Sequence, residues 1–296
     1  MPYSKVTREK SKLRLALAGS SGSGKTLSAL LIAYGITEDW EKIALIDTEH
    51  GRARFYANRS DLGTGEFLYQ EMTAPFSPEK YIKMVQEGAE TVGSDGVVII
   101  DSFSHAWDNE GGVLDIKSEI AKRTDKTSYS AWDEAGKIQN NLVNTILSVN
   151  CHTIVTLRTK MAYAMEINDK GKTVPVKIGL APVQRENTEY EFDIVLNIAR
   201  NHIATASKDT TFLDQWQGVI TPELGKSLKE WLDMGVEPEI CQDCGQRILP
   251  FKGKTIQQIA EGTLRNYGRK LCGKCLAKEI KQRREAESNA VESVSG

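Results

Sequence analysis

The chain has 296 residues, enough for one large domain or for one domain joined to a small module. Its composition, 40% hydrophobic and 26% charged with a net charge of −2, is that of a soluble globular protein rather than a fibrous or low-complexity one. No apolar run reaches the length of a membrane span, and the polar, basic start (MPYSKVTREKSK) lacks a signal-peptide core, so no membrane partner and a cytoplasmic location are expected.

Leu13 to Ala18 (LRLALA) is a short apolar run suited to a buried strand. Residues 19–26, Gly19-Ser20-Ser21-Gly22-Ser23-Gly24-Lys25-Thr26, follow it and fit G-x-x-x-x-G-K-[ST]. Glycines let the backbone turn tightly and bring its N–H groups up to an anion that a Cβ would obstruct. Lys25 would reach the β- and γ-phosphates, and the Thr26 hydroxyl would ligate Mg²⁺. The apolar run after it predicts a helix over 25–35, so the loop lies between a strand and a helix N-terminus, where free N–H groups and the helix dipole bind phosphate. ATP is the expected ligand.

A second strand is predicted at 43–47 (IALID), ending in Asp47-Thr48-Glu49-His50-Gly51. Either carboxylate at that strand end could face the γ-phosphate, and Glu49 could polarise a water for in-line attack. Composition alone would equally leave both as solvated loop acids. A helix is expected at 78–91, with Pro78 in its first turn, and Asp95-Gly96 signals a turn before the strand 97–101. Asp101 ends that strand (VVIID), the most apolar in the chain, as a Walker B aspartate that would hold Mg²⁺ beside Thr26.

Further along, a helix is expected at 133–149 and a strand at 153–157, with Arg158, Thr159 and Lys160 directly after it. Strands at 193–199 and 203–207 are predicted to extend the sheet antiparallel. Alternating strands and helices of this kind give an α/β fold with a mainly parallel sheet, whose ligands gather at the carboxyl ends of the strands. Two loops are candidates for single-stranded DNA: 117–129, with Lys122, Arg123, Lys126 and Tyr129, and 160–177, with Lys160, Lys170, Lys172 and Lys177. Both also hold acids, so a solvated loop explains the composition as well.

Four of the five cysteines form two pairs, Cys241-x2-Cys244 and Cys272-x2-Cys275. Such pairs present two thiolates each and together complete a tetrahedral S₄ site for Zn²⁺, with an Fe–S cluster as the other metal-bearing possibility. With no open coordination position the zinc would be structural. A helix is expected between the pairs over 254–267, with Ile256, Ile259 and Leu264 inward. From Pro238 onward there are eleven Lys/Arg and seven Asp/Glu, a mildly basic end on an acidic body. The expected layout is a P-loop domain over 1–235, a zinc module over 236–280 and a polar, disordered tail over 281–296.

Several blocks in order, LALAGSSGSGKT, ALIDTEHGRA, APFSPEKY, VVIIDSFSHAWDNEGG, APVQRENTEYEFD and ASKDTT, resemble RecA-core proteins. The closer resemblance is to phage-encoded RecA-core ATP-binding proteins, some of which act in ATP-dependent single-strand annealing or recombination. It covers roughly residues 12–232. The resemblance implies a RecA-like P-loop ATPase core, Glu49 as the catalytic carboxylate, and a γ-phosphate sensor at Arg158 or Lys160. It also implies that Lys208 reaches a neighbour's ATP site as a trans cation in a homo-oligomer. Single-stranded DNA, with a single-strand binding protein beside it, is the partner so implied. The cysteine module is similar to small zinc-ribbon modules appended to phage DNA-processing proteins. Alternatives are a ring-forming helicase-type motor and a nucleotide-dependent switch whose zinc module docks a protein.

Overall fold

The computed structural model describes residues 7–124, 128–167 and 173–294; the side chains of 124–129, 162–178 and 287–294 lie outside what is described. Nine strands and eight α-helices are present among the described residues. In chain order they run β1 (Arg14–Gly19), α1 (Lys25–Thr37), β2 (Ile43–Asp47), β3 (Leu68–Glu71), α2 (Pro78–Val92), β4 (Val97–Asp101), α3 (His105–Asp108), α4 (Val113–Thr124), α5 (Ser128–Ser148) and β5 (His152–Ile167). There follow β6 (Thr173–Pro182), β7 (Ile194–Ile198), β8 (Ile203–Lys208), β9 (Gln217–Val219), α6 (Pro222–Leu232), α7 (Ile256–Tyr267) and α8 (Gly273–Val294). The chain divides into two compact units, Lys12–Trp231 and a second made of Met1–Ser11 with Leu232–Gly296.

The larger unit is built on a sheet of order β3-β2-β4-β5-β1-β7-β8-β9, with β6 paired only to β5. Strands from β3 through β7 run parallel; β8 and β9 extend the sheet antiparallel. Every residue of β1, β2 and β4 is buried, which explains their unbroken apolar runs, because helices cover both faces of a parallel sheet. Ser77 caps α2, accepting a hydrogen bond from Lys80 N at 3.3 Å, with Pro78 at the first helical position.

One buried cation ties the P-loop strand to its neighbour. Arg14, 8% exposed, donates to the carbonyls of Leu147 (2.8 Å), Val149 (2.6 Å) and Cys151 (2.5 Å), satisfying the end of α5 and the turn that follows. Burial brings its pKa down to about 10, against the opposing influence of Cys151 and Asp193, so the guanidinium stays charged.

Both expected DNA loops turn out to contain regular structure. Lys117–Thr124 lies on α4, where Lys122 and Arg123 sit in the last turn and complement the helix dipole; Lys126 and the side chain of Tyr129 lie outside the described residues. The segment after Arg158 continues β5 into a long antiparallel hairpin with β6, with Lys160 opposite Ala181. Lys160 is exposed, and the side chains of Lys170, Lys172 and Lys177 lie outside the described residues.

In the second unit, Glu9 bridges Val236 and Arg247 Nη2 donates to Lys10 O at 2.8 Å, so chain residues from before β1 share this unit. Helix α7 opens with a capping box, Thr255 with Gln258, and closes on Gly268 at φ 71°. Its inward face holds Ile259, Ala260 and Thr263, with Ile256 packed alongside. Leu264, expected inward, is instead 45% exposed, because Thr263 takes the inward place and receives the N–H of Leu271 at 3.0 Å. Helix α8 runs to Val294, beyond the point where a disordered tail was expected to begin.

Candidate functional site

The site lies where β1, β4, β2 and β5 end at the carboxyl edge of the sheet. Residues 19–26 lead from β1 into α1, with Gly22 and Gly24 in left-handed conformation at φ 75° and 93°. Gly19 has a different constraint: a Cβ there would lie 2.5 Å from Ser23 Oγ and 2.6 Å from Ile198 O, so the loop closes only over hydrogen. Lys25 Nζ donates to Gly19 O at 3.0 Å and Ser20 O at 2.9 Å, spanning the loop it would share with phosphate. Burial lowers its pKa, opposed by the charges of Asp101 and Glu49 and reinforced by Arg158. His202, in the β7–β8 turn, places Nδ1 3.0 Å from Ser23 O and faces Gly24.

At the end of β4, Asp101 is 3% exposed and sits beside Asp47 in register. Thr26 Oγ1 donates to Asp101 Oδ2 at 2.6 Å, and the Thr156 hydroxyl on β5 donates to Oδ1. Burial raises the Asp101 pKa, and these two hydroxyls oppose the rise. Thr26 and Asp101 are thus joined at the place expected for a divalent cation.

Two carboxylates end β2 and the structure separates their tasks. Asp47 turns back into the fold: its oxygens accept Glu49 N (2.6 Å), Ala53 N (3.0 Å) and Tyr69 Oη (3.2 Å). It is buried and shapes the turn that presents Glu49. Glu49 faces the cleft and receives Arg158 through both oxygens, Nε to Oε1 at 2.7 Å and Nη2 to Oε2 at 2.5 Å. Burial pushes the Glu49 pKa up, but the Arg158 hydrogen bonds and charge, with Arg52, outweigh it and keep the carboxyl below its ordinary value. The carboxylate is therefore ionised at neutral pH.

Arg158 is the last β5 residue in register with β1, opposite Gly19, and its backbone N–H donates to Ser104 Oγ at 2.9 Å. Of the two candidate sensors only Arg158 joins the site; Lys160 stands two residues out on the hairpin. Lys208 pairs with Val195, three residues back along β7 from the Ile198 that faces Gly19, and its ammonium bonds Tyr190 O. It is thus level with Ala16 in the middle of β1, two strands away from it, and not at the strand end where the P-loop begins. Thr48, Thr156 and His202 belong to the site or its support without having carried a sequence signal as ligands.

Cys241, Cys244, Cys272 and Cys275 converge in the second unit, with all four sulfur atoms within 4.8 Å of one another. Cys244 and Cys272 are 3.7 Å apart, close to the ~3.8 Å edge of a tetrahedron with zinc-length bonds. Burial would raise the Cys241 pKa, but N–H groups of Cys272, Cys244 and Asp243 outweigh it and bring the thiol down to about 7. The donor set fits a soft divalent metal.

Together the arrangement can cradle a polyphosphate, hold a cation between Thr26 and Asp101, and set a carboxylate and a guanidinium where the terminal phosphate would stand. No described helix is long and apolar enough to cross a membrane. No curated protein matches the chain. A family model described as an AAA domain (AAA_24) matches residues 11–255, which span the whole P-loop unit and the first cysteine pair. The chain belongs to this AAA-domain family of P-loop NTPases.

Proposed function

We propose that the protein is a RecA-like ATPase that binds ATP with Mg²⁺ at Gly19–Thr26 and acts on single-stranded DNA in recombination or annealing. The observation that carries the ATPase reading is the meeting of Lys25, the Thr26–Asp101 pair and Glu49–Arg158 at four adjacent strand ends. Lys25 would exchange two loop carbonyls for β- and γ-phosphate oxygens. Mg²⁺, held by Thr26 and Asp101, would neutralise charge on those oxygens. Glu49 would take a proton from water as the water oxygen bonds the γ-phosphorus and the bond to the β–γ bridging oxygen breaks. For this Arg158 would first turn its charge from Glu49 to the terminal phosphate, which frees the carboxylate for the water. The β5–β6 hairpin rises directly from Arg158, which supports a link between DNA at the hairpin and the state of the site. Lys208 suits a neighbour's site in a homo-oligomer, being level with the middle of β1 and not with its own site. The four cysteines would hold a structural Zn²⁺.

A nucleotide-dependent switch is the second reading, favoured by one observation: Arg158 engages both oxygens of Glu49. ATP hydrolysis with and without single-stranded DNA, by wild type and Glu49→Gln, separates them. DNA stimulation and a loss of about 10²- to 10⁴-fold in the variant are expected. A Glu49→Gln protein as fast as wild type would overturn the base. Absence of both DNA stimulation and salt-dependent retention on single-stranded DNA would overturn the DNA role.

A further inference from the structure

Beneath Glu49 lies a buried histidine for which the reaction outlined above has no task. His105 is 2% exposed and its ring packs against Phe76 at 5.2 Å. Nδ1 lies 2.7 Å from Thr48 Oγ1. Nε2 makes no hydrogen bond and stands 4.0 Å from Glu49 Oε1. A buried polar atom left unpaired costs about 1–3 kcal/mol, so its retention in the cleft calls for a use.

The proton on this ring can be assigned from its neighbours. Burial, then the Arg158 charge, lower the His105 pKa and outweigh Glu49, Asp108 and a hydrogen bond to the Thr48 backbone, so the ring is neutral and carries one proton. Thr48 Oγ1 accepts the N–H of Ser102 at 2.8 Å, which leaves its own proton for Nδ1 at 2.7 Å or Ser102 O at 3.2 Å. Donation to Nδ1 puts the ring proton on Nε2, facing the carboxylate. The opposite tautomer would set a lone pair against Glu49, and electrostatics disfavours it. Thr48 is tied to Ser102, next to Asp101, so the ring is fixed relative to the cation site.

We propose that His105 is a positioning residue that takes over Glu49 when Arg158 leaves it. In the structure the carboxylate is held by Arg158, whose side chain is 43% exposed and free to turn toward a terminal phosphate. A shift of about 1 Å then brings Glu49 Oε1 into hydrogen-bonding range of His105 Nε2. That hand-over keeps one oxygen fixed from below and leaves the other for the attacking water. Without it, Glu49 released by Arg158 would swing freely, and misplacement by about 1 Å can cost about 10²-fold in rate.

This proposal rests on Glu49 as the base, and the test separates the two. Single-turnover ATP hydrolysis is measured for His105→Ala in wild-type and Glu49→Gln backgrounds, together with steady-state KM. His105→Ala should lower kcat about 10- to 100-fold with KM within about twofold, yet leave the residual Glu49→Gln rate unchanged, because the histidine acts only through that carboxylate. His105→Gln, whose amide N–H can stand near the Nε2 position, should recover most of the rate, and His105→Asn should not. An equal loss in both backgrounds, or a raised KM at constant kcat, overturns the role of His105. Wild-type hydrolysis by Glu49→Gln overturns the base and the proposal with it. Should the alanine variant not fold, equal rates for the Gln and Asn variants refute the hand-over.

Discussion

Mild acid should weaken the P-loop unit through His152. This residue opens β5, is 1% exposed, and accepts the N–H of Leu13 on Nδ1 at 3.0 Å. The ring is therefore neutral with its proton on Nε2. A second proton would have to enter at Nδ1, against the Leu13 N–H, and the charge would be buried without a partner. Burial, then the charges of Lys12, Lys229 and Arg14, hold the His152 pKa well below 6.5. Because the folded form binds fewer protons than the unfolded chain, the stability contributed is fully present above the ordinary pKa and is lost as pH falls toward the folded one. The slope is about 1.4 kcal/mol per pH unit, so roughly 1.4 kcal/mol should go between pH 7.5 and pH 5.5. His152→Asn keeps an acceptor for Leu13 and does not titrate. Urea midpoints of both proteins at the two pH values, followed by far-UV circular dichroism, isolate the term, since every other group is common to them. Parallel pH dependence in wild type and variant would refute the reasoning.

Zinc analysis of purified protein should find one ion per chain, and Cys272→Ser should lose it. The variant should become protease-sensitive within residues 232–294 while ATP binding at the P-loop persists, because small metal modules fold on their metal; a wild-type protein free of zinc rules the site out. His202→Ala removes the hydrogen bond to Ser23 O from the P-loop's flank. One neutral hydrogen bond of about 1 kcal/mol corresponds to roughly a fivefold rise in KM for ATP with kcat unchanged. A fall in kcat at constant KM would show that His202 serves the chemistry and not the cradle.

Sequence signals were strongest where chemistry is written into neighbouring residues. The glycine loop, the cysteine pairs and the wholly buried strands β1, β2 and β4 each carry their own local evidence. Strand β3 carries little, since three of its four residues are exposed and no apolar run marks it. The hairpin was hidden for a similar reason: once β5 leaves the sheet it pairs only with β6, and among its described side chains Met161 and Leu180 are exposed. Residues 117–124 look basic and loop-like by composition, yet the basic pair at their end is what a helix C-terminus favours.

The contacts among the site's polar groups, unlike Glu49 and Arg158 themselves, were illegible for another reason, which is separation along the chain. Glu49 and Arg158 are 109 positions apart, and only the order β2-β4-β5-β1 brings them together across Asp101. The same order sets Thr156 against Asp101, while the strand-end turns bring Thr48 to His105. Each of these residues is an ordinary polar side chain in its own stretch of sequence. What they share is a position at or just beyond the carboxyl end of a buried strand, or within it where the partner strand ends in a carboxylate. Among parallel strands that position is shared space, so any polar group there meets its counterparts on adjacent strands. The guanidinium on Glu49 follows from that geometry: β5 delivers Arg158 opposite Gly19, β2 delivers Glu49 two strands away, and both face the interval where a terminal phosphate would lie. A phosphate placed there would compete with Glu49 for one cation, and strand order would then couple nucleotide binding to release of the carboxylate.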